Sequence, residues 1–196
     1  RHTRCSRDWS SDVCSSDLIV AQVPSATPPI SVSLFGKGSL NLKGTVTLQT
    51  PTTFAPQAYP LTFSGVVTGP GSLTNYGYAP MILTGANSYQ GGTFANTGAV
   101  IFGNTSAIPG LAYTGLTANA SGYIGFASTN FAGGTYQSVF VDRFDKTATT
   151  GSLGFDSIPD AQGNLTVNTF TGPVDLSGFT NNVRIGSATQ AVLSGS

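Results

Sequence analysis

The segment Asp142-Arg143-Phe144-Asp145-Lys146 gathers the carboxylates and cations that could do chemistry together in this 196-residue chain. Paired carboxylates can divide acid and base roles in glycoside cleavage, and Arg143 or Lys146 can meet an acidic saccharide. Three readings of the segment stand open. It is a catalytic pair, Asp142 and Asp145, in an enzyme acting on acidic polysaccharide. It is a non-catalytic saccharide or cation contact. Or it is a solvated, salt-bridged turn. Tyr76, Tyr78 and Tyr89 raise a similar choice between an aromatic strip for stacking on sugars and plain corner packing.

A second cluster, Cys5, Cys14, His2 and nearby Asp residues, has thiol or metal-site composition, but its surroundings argue against it. Residues 1–18 hold both cysteines, the lone Trp, the lone His and six of the chain's charges. Asp8 to Leu18, DWSSDVCSSDL, resembles the in-frame translation of a short-read sequencing adapter. Residues 1–18 are therefore expected to be a non-native tail that takes no part in the fold. Ile19 to Val23 fits the stub of a signal peptide, and residues 19–30 form a Pro-rich leader.

Residues 19–196 contain no Cys, His, Trp or Glu. A Ser-His-Asp or Cys-His arrangement is then impossible, and zinc lacks its usual ligands. No Gly-rich loop ends in Gly-Lys-Ser/Thr, and the Gly-Gly-x-Gly-x-Asp calcium repeat is missing. No cofactor, resident metal or catalysis is expected. Formal net charge is zero, so nucleic acid is not an expected partner. No apolar run approaches the roughly 20 residues of a spanning helix.

The elements that must position these residues read as all-β. Charged residues make up 8% of the chain and glycines number 25. Polar positions carry Thr, Ser and Asn, which favour strands, turns and caps over helix. Hydrophobic residues at 39% argue against disorder. Short apolar runs separated by Gly, Asn, Ser and Pro clusters predict strands at 31–34, 39–42, 45–48, 61–67, 81–83, 99–102, 123–126, 138–141, 165–168, 183–185 and 191–193. Leu40 with Leu42, Val46 with Leu48, and Val183 with Ile185 alternate with polar neighbours, so each run has one buried face. Gly-x-Leu, [ST]-Gly and Gly-Gly-Thr recur imperfectly. Such repetition fits a solenoid or propeller, and a β-sandwich or jelly roll is the alternative.

One stretch is more specific. Leu61 to Gly103 reads LTFSGVVTGPGSLTNYGYAPMILTGANSYQGGTFANTGAVIFG. Gly69, Gly71 and Leu73 match Gly-x-Gly-x-Leu. Gly85, Ala86, Asn87, Tyr89, Gly91, Gly92 and Thr93 match Gly-Ala-Asn-x-Tyr-x-Gly-Gly-Thr. This pattern resembles the autotransporter-associated β-strand repeat, also called the passenger-associated transport repeat. Two departures stand out. Asn75-Tyr76-Gly77-Tyr78-Ala79-Pro80 replaces a Lys-x-Gly-x-Gly turn, and Phe94-Ala95 replaces a β-branched pair. Neither removes a strand.

The resemblance implies a right-handed parallel β-helix over 31–196, exported by a Gram-negative bacterium to the cell surface or beyond. The implied role is structural or adhesive. Implied partners are further β-helix repeats, an outer-membrane barrel of the same full-length protein, and surface glycans. The chain stops after Leu-Ser-Gly without a cap, which predicts that the native protein continues. The runner-up functions are a saccharide-active β-helix enzyme and a carbohydrate-binding module.

Overall fold

The computed structural model describes residues 18–20, 30–34, 38–110, 113–128, 131, 133–158, 162, 164, 167–180, 183–185 and 190–194. Residues 1–17 of the adapter-like tail and 21–29 of the leader lie outside them. The described residues form a parallel β-solenoid. A seven-stranded sheet stacks Leu40–Leu42, Leu61–Phe63, Met81–Leu83, Ala99–Phe102, Tyr123–Phe126, Ser152–Phe155 and Val183–Ile185. A five-stranded sheet stacks Ile30–Leu34, Thr52–Pro56, Leu73–Asn75, Thr93–Ala95 and Leu116–Ala118. A three-stranded sheet holds Leu18–Val20, Val46–Leu48 and Val67–Thr68. Val167–Thr171 pairs with Gln190–Ser194. Every named pairing is parallel, which excludes the antiparallel sandwich.

Consecutive coils repeat in register. Leu61 faces Met81 and Phe63 faces Leu83, and the next coil brings Val100 and Phe102 into the same two rows. The inner rows alternate with half-exposed Thr62 and Ile82, as the pleat requires. Leu61, Phe63, Val100 and Phe102 are fully buried in one shared core. That arrangement is the one expected from their period-two spacing.

Several strand boundaries differ from the sequence reading. The run 61–67 is two strands, Leu61–Phe63 and Val67–Thr68. Between them Ser64 and Gly65 both donate to the Leu42 carbonyl, at 3.1 and 3.0 Å, turning the chain around a corner. Thr84 and Gly85 repeat this on Phe63, at 2.9 and 3.3 Å. Leu73–Asn75, Thr93–Ala95 and Leu116–Ala118 were not expected as strands. Inward Asn75 and Thr93 interrupt their apolar pattern, yet both are buried and hydrogen-bonded. Thr52–Pro56 and Ser152–Phe155 also add to the expected set.

The corner glycines have a steric cause. A Cβ on Gly85 would fall on the Gly65 carbonyl oxygen of the preceding coil, and one on Gly65 would fall on Gly44. The obstacle is backbone, so a methyl group can be accommodated only by parting the coils. Gly85→Ala is expected to destabilise by about 1–3 kcal/mol, the range for overpacking. Urea unfolding should show a lowered midpoint.

The predicted strand 138–141 is replaced by helix. Tyr136–Val139 is one α-turn and Val141–Arg143 a 3-10 turn. Thr135 and Ser138 form a reciprocal capping box, and Tyr136, Val139 and Phe140 are buried. That spacing is the helical i, i+3, i+4 pattern, overlooked because the run is short. The insert packs on an aromatic cluster in which Tyr136 stacks on Phe155 at 4.5 Å and Phe140 on Phe126 at 5.5 Å.

Candidate functional site

The repeat block places its residues on two coil corners and the strand leading from them. Asn87 is 6% exposed. Its Oδ1 accepts from Val67 N at 2.8 Å, and its Nδ2 donates to Ala107 O at 2.7 Å. Each partner is 20 residues away, so one side chain joins the preceding and following coils. Its own N–H reaches Ser106 O at 3.0 Å. Asn87 thus links the backbones of its neighbouring coils. Asn119 and Asn96 meet amide to amide across coils.

Tyr89 is buried, and its hydroxyl lies 2.6 Å from Thr93 Oγ1, which in turn lies 2.8 Å from the Tyr113 hydroxyl. Tyr113 donates onward to Gly91 O at 2.8 Å. Burial pushes the Tyr89 phenol well above its ordinary range, so it stays neutral and hydrogen-bonding. Gly69, at φ 105°, occupies the left-handed region that favours glycine. Cβ atoms on Gly71 and Gly91 would meet backbone of the preceding coil, and one on Gly92 would meet the Phe94 ring. Leu73 is fully buried, while Ala86 is exposed.

The Asp142–Lys146 segment leaves the helical insert and returns to the solenoid at Phe144, bridged to Leu116. Asp142 is exposed and accepts from Gln137 Nε2 at 2.6 Å. Asp145 is also exposed, and its Oδ1 accepts from Thr147 Oγ1 at 2.7 Å and from Thr147 and Ala148 N–H at 3.0 Å. Lys146 Nζ donates to Ser177 O at 3.1 Å and lies 5.3 Å from the Phe179 ring centroid. Arg143 turns to a groove with Asn87, Thr105 and Ser106. The two carboxylates therefore have separate partners, and neither lines the groove that holds Arg143.

The Thr147 hydroxyl, followed by the Ala148 N–H, holds the Asp145 carboxyl below its ordinary value of 3.8. A depressed carboxyl pKa stabilises the folded turn above the unfolded value and loses that contribution as pH falls through the folded one. The Thr147 and Ala148 amide resonances should titrate with a midpoint below 3.8, and Asp145→Asn should abolish that titration. Asp175 is similarly lowered, first by the Ser177 backbone N–H, and its own N–H reaches Gln137 Oε1 at 2.7 Å. Sequence reading missed Gln137, which bridges Asp142 to the Asp175 segment, because its partners are separated along the chain.

The tyrosine strip is divided. Tyr76 and Tyr78 are 59% and 79% exposed, whereas Tyr89 is 1% exposed in the core. Tyr59, unexpected from sequence, is also exposed. Among the described residues no three His, Cys, Asp or Glu side chains gather as a metal site, and no helix is long and apolar enough to cross a membrane.

The chain is similar to the adhesin BmaC autotransporter of Brucella suis biovar 1 (strain 1330), with 29% identity over 140 residues. The similarity spans 66% of this chain and 4% of that protein. No protein-family model matches the chain, and no solved structure matches it. The similarity to an autotransporter adhesin and the β-solenoid fold both fit an autotransporter passenger.

Proposed function

We propose that the chain is a structural or adhesive segment of an autotransporter passenger, displayed by a Gram-negative bacterium at or beyond its outer membrane. The observation that carries this reading is strictly parallel, in-register coil stacking in a chain similar to an autotransporter adhesin. Each coil lengthens such a rod by about 4.7–4.9 Å, the interstrand spacing, and covers the apolar rows of its neighbour. Leu61 to Gly103 is an autotransporter-associated β-strand repeat in this reading. Its glycines and Asn87 close the coils. The partners are further coils and an outer-membrane barrel of the same protein, with surface glycans as targets.

No cysteine follows residue 18, which suits export because no disulfide within 19–196 obstructs threading through a barrel. The role is non-catalytic: Asp142 binds Gln137 and Asp145 caps its own turn. Incubating the chain with acidic polysaccharides should therefore give no cleavage. Cleavage that disappears in the Asp142→Asn, Asp145→Asn double variant would overturn the non-catalytic role.

Display is tested by placing residues 19–196 between a signal peptide and an autotransporter barrel. Protease added to intact cells should remove the segment. Retention in the periplasm, while the barrel's own passenger is displayed normally, would contradict the proposal.

A further inference from the structure

We propose that the groove between the Thr105–Ala107 turn and the helical insert binds the carboxylate-bearing ring of an acidic sugar, with Arg143 as the anion partner. The groove is half-open and offers about 390 Å³, within the usual range for small-ligand pockets. Asn87, Thr105, Ser106, Ile108, Val139 and Arg143 are among its lining residues. This site deepens the glycan-binding part of the proposed adhesive role and rests on that part, while its binding test is independent of display.

Arg143 supplies the reason for an anion. Its side chain is half-buried, and its hydrogen bond runs from Nε to Val139 O at 3.4 Å. The guanidinium has no carboxylate partner among the described residues. The adjacent acids are directed elsewhere: Asp142 takes Gln137, and Asp145 takes Thr147 and Ala148. A partly desolvated cation without a counter-ion is costly. The planar guanidinium fork matches a carboxylate with two parallel hydrogen bonds.

The remaining lining selects a sugar. Thr105 and Ser106 bring hydroxyls, each able to donate and accept, and neither hydroxyl has a partner among the described residues. Buried Ile108 and Val139 give an apolar floor for the C–H face of a ring. The Asn87 amide is occupied by Val67 and Ala107, so it holds the wall and leaves recognition to its neighbours. An extended peptide is captured best along a free strand edge. This wall is a 3-10 turn closed by Ala107 N to Asn104 O at 3.2 Å, which presents no such edge.

The test titrates the full chain with methyl β-D-glucuronide, followed by saturation-transfer NMR. Methyl β-D-glucoside serves as the neutral counterpart and N-acetylalanine as the peptide-like carboxylate. Glucuronide should bind weakly, with a Kd on the order of millimolar, and added salt should weaken it. The glucoside, N-acetylalanine and Arg143→Gln should each weaken binding by roughly tenfold or more. Ser106→Ala should weaken it less. Arg143→Lys keeps the charge but loses the fork, so its affinity should fall between wild type and Arg143→Gln. Should Arg143→Gln fail to fold, Arg143→Lys and Ser106→Ala carry the test. No glucuronide binding by the wild-type chain, equal binding of the glucoside or N-acetylalanine, or unchanged affinity in the folded variants would overturn the assignment.

Discussion

Phe63→Ala is expected to lower the stability of the chain by roughly 3–5 kcal/mol, the range for deleting a buried aromatic side chain. Phe63 has no exposed surface. Its ring meets Phe54 edge to face, with centroids 5.2 Å apart and planes at 79°, and its backbone is paired with Leu42 and Leu83. The loss is a transfer term plus a cavity term. The cavity term should be large here because rigid strands of two neighbouring coils limit collapse around the void. A globular domain has only about 5–15 kcal/mol in total, so the variant should unfold at much lower urea. A cost under about 1 kcal/mol would place Phe63 outside the core.

Asn87→Ala is the second large effect, and its mechanism is polar. Removing the amide strands the Val67 N–H and the Ala107 carbonyl between coils. A buried group left without its partner costs about 1–3 kcal/mol, and this substitution leaves two. Asn87→Asp keeps an acceptor for Val67 but faces the Ala107 carbonyl with another oxygen, so it should also destabilise. Hydrogen exchange gives the specific readout. The Val67 amide should lose protection in Asn87→Ala beyond the general loss across the chain. Unchanged protection at Val67 would contradict the bridging role.

Much of the fold was legible because the inner rows are apolar and strictly alternating. Leu61 and Phe63, on either side of Thr62, announce their burial by period two, whereas Met81–Leu83 and Ala99–Phe102 are unbroken apolar runs whose inward face follows from their register with Leu61–Phe63. The five-stranded sheet was less legible because its inward positions include Asn75 and Thr93. These polar residues survive inside only by bonding the next corner or a neighbouring hydroxyl. The helical insert was misread for a different reason: Tyr136, Val139 and Phe140 give one turn of helical periodicity, too short to outweigh a strand-rich context. At the site, Asp142 to Lys146 stood out by charge, but sequence adjacency hid their separate destinations. The groove brings Arg143 to Thr105 and Ser106 across coils, a juxtaposition that depends on where the insert folds back.

The parallel solenoid fixes which residues of successive coils lie side by side, and crosslinking reads that register out. Thr62 lies opposite Ile82, and Ile82 opposite Ile101. With Cys5 and Cys14 replaced by Ser, cysteine pairs can be introduced at 62 with 82 and at 74 with 94, the latter matching Thr74 opposite Phe94 in the five-stranded sheet. Parallel stacking predicts that both pairs sit one strand spacing apart, about 4.7–4.9 Å between backbones. Both should therefore crosslink with the shortest bifunctional thiol reagents. If neither pair crosslinks while the chain retains its cooperative unfolding, the solenoid register assigned to this chain is wrong.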